Sequence, residues 1–129
     1  MTKRVLVVED TPIIREVLLH HLNKLKVNCY AVETGEEAVD LAPYFDLILM
    51  DVNLPGITGI EATRRIRKQE REANLEPVTI VANTNSDSRR ECLTAGMDDF
   101  YSKSVTRATL QDVIDTWLFA TPSKLRLLS

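Results

Sequence analysis

Three short, uninterrupted runs of mostly apolar residues constrain the fold of this chain more than any other feature. They lie at residues 5–8, 47–50 and 78–82, are rich in Val, Leu and Ile, and are bounded by charged or turn-forming residues. Runs of this kind are typical of strands buried on both faces of a parallel sheet, because a strand with one solvated face alternates apolar and polar residues. The sequence therefore predicts a parallel sheet that is covered on both sides.

Segments with helical periodicity lie between these runs. Apolar residues recur every three or four positions in the first such segment, and Thr106 is the expected N-cap of a last helix that extends to Phe119. Two weaker strands are predicted at residues 28–32 and 100–101. This alternation indicates an α/β fold, a doubly wound five-stranded parallel sheet with five helices. We assign residues 1–120 to one domain and residues 121–129 to a C-terminal tail or connector.

Composition narrows the classes of partner. The 129 residues, 44% hydrophobic and 27% charged, suit one globular domain. The formal net charge of -3 excludes a nucleic-acid module that works by broad phosphate neutralisation. The first apolar run is too short for a signal peptide or a membrane span, so we expect a cytoplasmic location without membrane contact. Cys29 and Cys92 are far apart and outside any metal-binding spacing, which indicates two reduced thiols.

Acidic residues follow the first and third predicted strands. Glu9 and Asp10 come directly after residues 5–8, and Asp51 comes directly after residues 47–50. Ligands of open α/β sheets bind outside the carboxyl ends of the strands, so we expect these three carboxylates to converge there. Carboxylates at close range repel each other and need a compensating cation, and Mg²⁺ prefers such oxygen ligands. A single acid after a strand often only solvates a loop, but three together predict a magnesium site.

Lys103 follows the fifth predicted strand by two residues and is expected at the same edge of the sheet. An ammonium group at that place would keep Asp51 ionised and bind a phosphoryl oxygen. A solvated loop lysine is the commoner fate of any one Lys, so its position after a strand is what supports the functional interpretation.

Together these residues resemble the response-regulator receiver family of two-component signalling. The resemblance rests on Glu9-Asp10, on Asp51 within LMDVNLPG at residues 49–56, and on FYSK at residues 100–103. It covers residues 5 to about 118, and residues 59–67 and 92–99 are especially similar to receivers of hybrid sensor histidine kinases. It implies a flavodoxin-like sheet with strand order 2-1-3-4-5 and a domain that is a monomer or a weak dimer.

The resemblance also implies a function. Asp51 would accept a phosphoryl group from a phosphohistidine on a sensor histidine kinase or a histidine phosphotransfer protein, and the domain would then change its partner binding. Mg²⁺ would be surrounded by Glu9, Asp10, Asp51 and the backbone carbonyl of Asn53. Such a domain catalyses its own phosphorylation and dephosphorylation but is chiefly a signalling module, either alone or in the cytoplasmic part of a membrane-bound hybrid kinase.

The chain departs from the family pattern in the segments that respond to phosphorylation. Ala82 occupies the position at which the family has a Thr or Ser hydroxyl, and Thr84 is the nearest residue that would replace it. Phe100 occupies the position of the switch aromatic and is expected to be buried. Ser104 replaces the Pro that usually follows the lysine. These departures leave open an alternative: a pseudo-receiver that binds proteins independently of phosphorylation.

Overall fold

A computed structural model describes residues 3–84 and 88–119 as a five-stranded parallel sheet with helices on both faces. The strands are β1 (Arg4–Val8), β2 (Asn28–Val32), β3 (Leu47–Asp51), β4 (Thr79–Asn83) and β5 (Asp99–Tyr101). The helices are α1 (Pro12–Lys24), α2 (Gly35–Leu41), α3 (Gly59–Ala73), α4 (Arg89–Ala95) and α5 (Arg107–Val113). A 3-10 turn, Ala42–Tyr44, follows α2, and a π-helical segment, Ile114–Leu118, continues α5.

The strand order is β2-β1-β3-β4-β5, which confirms the predicted fold class and order. All four strand pairs are parallel. The predicted tail at residues 121–129 lies outside the described residues. Within the described ranges, no helix has the length and apolar character that crossing a membrane requires.

Threonine hydroxyls begin three of the helices. Thr34, Thr58 and Thr106 each accept a hydrogen bond from the backbone N–H three residues on, at 3.1 to 3.2 Å. Such caps satisfy amide groups that have no partner inside the helix, and replacing one with Ala typically costs about 1 kcal/mol. The predicted N-cap at Thr106 is confirmed, and α5 therefore starts shortly after the loop that carries Lys103.

The central strands are buried on both faces, as their apolar runs predict. Every residue of β3 is buried, and alternate side chains contribute to two separate clusters. One cluster, which includes Ile48, Met50 and Ala82, packs under α2, α3 and α4. The other, which includes Leu49 and Val81, packs under α1 and α5. Side-chain direction along a strand thus decides which helices a residue contacts.

Strand β4 is shifted by one residue from the predicted 78–82 and spans Thr79–Asn83. The backbone N–H of Val78 donates to Oε2 of Glu70 at 2.7 Å, and its carbonyl accepts from Arg67 at 2.8 Å. Side chains of α3 therefore occupy the hydrogen-bonding groups that would otherwise begin the strand. The shift makes Asn83 the last residue of β4.

Candidate functional site

Three carboxylates meet where β1 and β3 end. Val8 is paired with Met50 in the parallel register, so the next residues, Glu9 and Asp51, leave adjacent strands at the same edge of the sheet. One ligand oxygen from each of Glu9, Asp10 and Asp51 lies within 4.8 Å of the others. The convergence that the sequence predicts is therefore present, and its oxygen donors are of the type that Mg²⁺ prefers.

Two of these acids are almost completely removed from solvent. Glu9 is 0% exposed and Asp51 is 1% exposed. Burial, together with the neighbouring Asp51 carboxylate, raises the pKa of Glu9 from 4.5 to about 7, whereas the N–H of Thr11 and the charge of Lys103 act in the opposite direction. Close carboxylates in a poorly solvated place cannot both ionise freely. A proton or a cation must therefore compensate this pair.

The two oxygens of Asp51 have different surroundings. Oδ1 lies 3.0 Å from Nζ of Lys103 and accepts a hydrogen bond of 3.0 Å from the backbone N–H of Asn53. Oδ2 is buried and has no hydrogen-bond partner among the described residues. A buried acceptor without a partner is unfavourable by about 1 to 3 kcal/mol. The carboxylate is thus held on one side, while its other oxygen suits a bound cation or a phosphoryl group.

Local backbone packing fixes the turn that follows Asp51. The N–H of Gly59 donates to the carbonyl of Val52 at 2.9 Å, which brings the start of α3 against the end of β3. A Cβ on Gly59 would collide with the backbone carbonyl of Asp51, so only glycine allows this approach. The backbone at Asp51 is therefore supported by the first turn of α3.

Comparison with known proteins identifies the family. The family model described as "Response regulator receiver domain" matches residues 5–115. The chain belongs to the response regulator receiver family. The hybrid signal transduction histidine kinase A of Dictyostelium discoideum is 36% identical over 121 residues, which cover 89% of this chain and 6% of that protein. The sensor protein GacS of Pseudomonas syringae pv. syringae is 37% identical over 119 residues, 88% of this chain and 13% of that protein.

This receiver thus spans only a small part of the length of these two relatives. Among solved structures, the receiver domain of Ssk1 of Saccharomyces cerevisiae, in complex with the histidine phosphotransfer protein Ypd1, is 34% identical with a TM-score of 0.83. That match covers 90% of this chain and 88% of the other. The receiver domain of sensor histidine kinase PA1611 of Pseudomonas aeruginosa, with a magnesium ion in its active-site cleft, is 36% identical with a TM-score of 0.81 and covers 93% and 100%.

Two predicted site residues lie on β4 or at its end. Ala82 is fully buried on the side of α2, α3 and α4, so the family's hydroxyl is missing from that position. Thr84 is 5% exposed, and its backbone N–H donates to the carbonyl of Tyr101 at 3.0 Å. Its substitution for the missing hydroxyl remains a prediction, as does the ligand role of the Asn53 carbonyl.

Phe100 was predicted to be buried, but its side chain is only partly buried. Phe100 is half-buried, and the guanidinium of Arg89 lies 4.6 Å from the centre of its ring. Its neighbour Tyr101 is the buried aromatic of β5, at 5% exposure. Phe100 lies on β5, the edge strand, which packs against α4. Its switch role remains a prediction, and Ser104 lies exposed beyond Lys103.

Asn83 and Tyr101 lie beside the acidic site but were not among the predicted site residues. Asn83 lies one residue beyond the predicted run 78–82, but it belongs to β4, is 1% exposed, and donates through Nδ2 to Oε1 of Glu9 at 3.4 Å. The period of two along a strand was the available signal, because Asn83 follows Val81 and faces the same side. Because the predicted strand ended one residue before Asn83, its position on this face was not recognised.

Proposed function

We propose that this receiver takes a phosphoryl group from a phosphohistidine onto Asp51 and changes its partner binding in response. The observation that carries the proposal is the asymmetric setting of the Asp51 carboxylate. Lys103 and the N–H of Asn53 hold Oδ1, whereas Oδ2 lies buried and unpartnered, within the described part of the chain, beside two further acids. Structural carboxylates are normally satisfied when buried, so this arrangement supports a reactive one.

Mg²⁺ fits the donor set beside Asp51. Glu9, Asp10 and Asp51 would hold it, together with the backbone carbonyl of Asn53. When bound, the ion would neutralise negative charge on the transferring phosphoryl group. The magnesium ion in the related PA1611 receiver supports this assignment.

The chain's own residues account for the remaining chemistry. One carboxylate oxygen of Asp51 attacks phosphorus, the phosphorus–nitrogen bond of the donor breaks, and the donor histidine leaves as imidazole. Lys103, whose Nζ is 3.0 Å from Oδ1, orients the carboxylate and binds an oxygen of the acyl phosphate as a fixed positive charge. Attack of water on that acyl phosphate releases phosphate and restores Asp51.

A histidine-containing partner is the proposed phosphodonor. The Ssk1 receiver was solved with a histidine phosphotransfer protein, and the relatives include hybrid histidine kinases. We assign to this chain a donor of the same kind, either a sensor histidine kinase or a histidine phosphotransfer protein, and a cytoplasmic location. We expect the domain to act as a monomer or a weak dimer without contacting nucleic acid or membrane.

Phosphorylation by a small donor tests the assignment of Asp51. With Mg²⁺ and acetyl phosphate, intact mass spectrometry should show one added phosphoryl group on the wild-type chain. Asp51→Asn keeps the shape of the side chain but removes the nucleophile, so the adduct should disappear. Asp40→Asn is the matched control, because Asp40 is an exposed carboxylate of α2 outside the site. Phosphate uptake by Asp51→Asn equal to that of wild type would refute the proposal.

Ala82 gives a second candidate function, a pseudo-receiver that binds partners independently of phosphorylation. Its fully buried methyl group offers no hydroxyl that could follow a phosphoryl group. The same experiment separates the two functions. A folded wild-type chain that binds no Mg²⁺ and forms no adduct with acetyl phosphate or beryllium fluoride would support the pseudo-receiver.

A further inference from the structure

Four buried polar residues, two of them acids of the candidate metal site, form one row across the sheet. Asp51 is paired with Asn83 and Asn83 with Tyr101 in the strand register, and Glu9 follows β1 on the other side of Asp51. Their exposures are 0% for Glu9, 1% for Asp51 and Asn83, and 5% for Tyr101. Tyr101 contributes to the cluster under α1 and α5, and Asn83 faces that side as Val81 does. Glu9, Asp51 and Asn83 thus follow, on the same face of the sheet, the apolar residues Val7, Leu49 and Val81, which lie two positions earlier along the chain.

Three atoms of this row lack hydrogen-bond partners within the described ranges: Oδ2 of Asp51, Oδ1 of Asn83 and the hydroxyl of Tyr101. Oδ2 of Asp51 belongs to the acidic site, and the other two are chemically complementary, because Oδ1 of Asn83 accepts and the Tyr101 hydroxyl donates. Burial and the charges of Glu9 and Asp51 raise the pKa of Tyr101, so its hydroxyl keeps its proton. Asn83 and Tyr101 are register partners on adjacent strands, and one water between their side chains would satisfy both groups.

We propose that Asn83, supported by the Tyr101 hydroxyl, is a positioning residue that holds Glu9 for cation binding. The amide N–H of Asn83 already donates to Oε1 of Glu9 at 3.4 Å, and the N–H of Thr11 donates to Oε2 at 3.1 Å. Glu9 has three rotatable side-chain bonds, so these two donors together limit its orientation toward Asp10 and Asp51. This inference rests on the proposed function, because it requires a cation at that site.

The structural reason for the Tyr101 contribution is the geometry of an amide. An asparagine side chain that accepts at Oδ1 can point its N–H groups in only one direction, so a hydroxyl of Tyr101 that donates toward Oδ1, through a bridging water, would fix which side of Asn83 faces Glu9. Partners of this kind, which orient a ligand without touching the metal, typically change metal affinity 10- to 100-fold when they are mutated.

The test is magnesium binding by isothermal titration calorimetry, with the melting temperature of each metal-free variant measured in parallel. Asn83→Ala should weaken Mg²⁺ binding about tenfold. Tyr101→Phe removes one oxygen and should weaken binding by a smaller factor. In the double variant the two losses should not add, because both residues act through Glu9. Val81→Ala is the matched control: it removes buried volume from the same strand and face, and should lower the melting temperature without changing the Kd.

The outcomes separate this inference from the proposed function. A wild-type chain that does not bind Mg²⁺ contradicts the proposed function itself. A wild-type chain that binds while Asn83→Ala and Tyr101→Phe bind equally tightly overturns the positioning role alone. Equal losses of affinity in Val81→Ala and Asn83→Ala also overturn it, because packing of β4 would then explain the effect. If Asn83→Ala does not fold, Tyr101→Phe decides the question, because it preserves the aromatic ring.

Discussion

Arg67 is expected to be the most sensitive charged residue of α3. Its Nε donates to the carbonyl of Gly96 at 2.9 Å, and its Nη1 donates to Glu70 and to the carbonyl of Val78, both at 2.8 Å. Nη2 lies 3.1 Å from Oδ2 of Asp98. One guanidinium therefore connects α3 to the residue before β4 and to the turn between α4 and β5, and a substitution breaks all four contacts.

The expected loss for Arg67→Met is about 3 kcal/mol of unfolding free energy. Methionine keeps the apolar stem but leaves Glu70, at 9% side-chain exposure, as a buried charge without its cation. Breaking a buried ion pair by removing one partner costs about 3 to 5 kcal/mol. The other carboxylate, Asp98, is 36% exposed, so solvent screening reduces its share and favours the low end of that range.

Arg65→Met is the matched control on the same helix. Arg65 pairs with Glu61 at 3.1 Å, but its side chain is 51% exposed, and such a pair is worth about 0 to 1 kcal/mol. Urea denaturation followed by far-UV circular dichroism gives both values. The single tryptophan, Trp117, provides a second probe, because its Nε1 donates to Asp99 of β5 at 3.0 Å.

Two results would refute the reasoning about Arg67. One is equal destabilisation by Arg67→Met and Arg65→Met. The other is the absence of any recovery when Glu70→Gln is added to Arg67→Met. That second substitution removes the uncompensated charge, while its amide oxygen can still accept from the N–H of Val78.

Two further predictions concern the acidic site. Without metal, stability should fall by up to about 3 kcal/mol between pH 4.5 and 8, because the pKa of Glu9 is raised from 4.5 to about 7 and the folded state binds more protons than the unfolded chain there. Glu9→Gln should flatten this slope in denaturation series at several pH values, and an unchanged slope would contradict it. Gly59→Ala should cost about 1 to 3 kcal/mol and weaken Mg²⁺ binding, because the new Cβ collides with the Asp51 carbonyl. Gly35→Ala, whose Cβ would meet only side chains, should disturb Mg²⁺ binding less, and equal Mg²⁺ affinities in the two variants would argue against the collision.

The architecture follows from the sequence because its determinants are local. Residues 5–8 and 47–50 are continuous apolar runs, and only a strand covered on both faces buries every side chain of such a run. The weaker strand β2 was predicted with the observed bounds, Asn28–Val32. The acids that follow β1 and β3 converge for the same reason, since parallel strands end at one edge.

The errors arise where distant residues decide the outcome. The start of β4 depends on Glu70 and Arg67, which lie eight and eleven residues before Val78 on another element. No local pattern in residues 77–83 reveals that these side chains occupy the hydrogen-bonding groups of Val78. The exposure of Phe100 depends likewise on the edge position of β5 and on Arg89, the first residue of α4, whose guanidinium lies over the ring.

Asn83 does not compensate for the hydroxyl that is missing at Ala82, because side chains alternate along a strand and these two residues lie on opposite faces of the sheet. Ala82 packs with Met50 under α2, α3 and α4, and its register partner on β5 is Phe100. Asn83 faces α1 and α5, and its partners are Asp51 and Tyr101. A polar group at position 83 therefore cannot restore a hydroxyl contact on the Phe100 side. The amide of Asn83 contacts Glu9 instead. Position 82 taken alone therefore shows only the loss of a hydroxyl and not the amide that lies beside the acidic site.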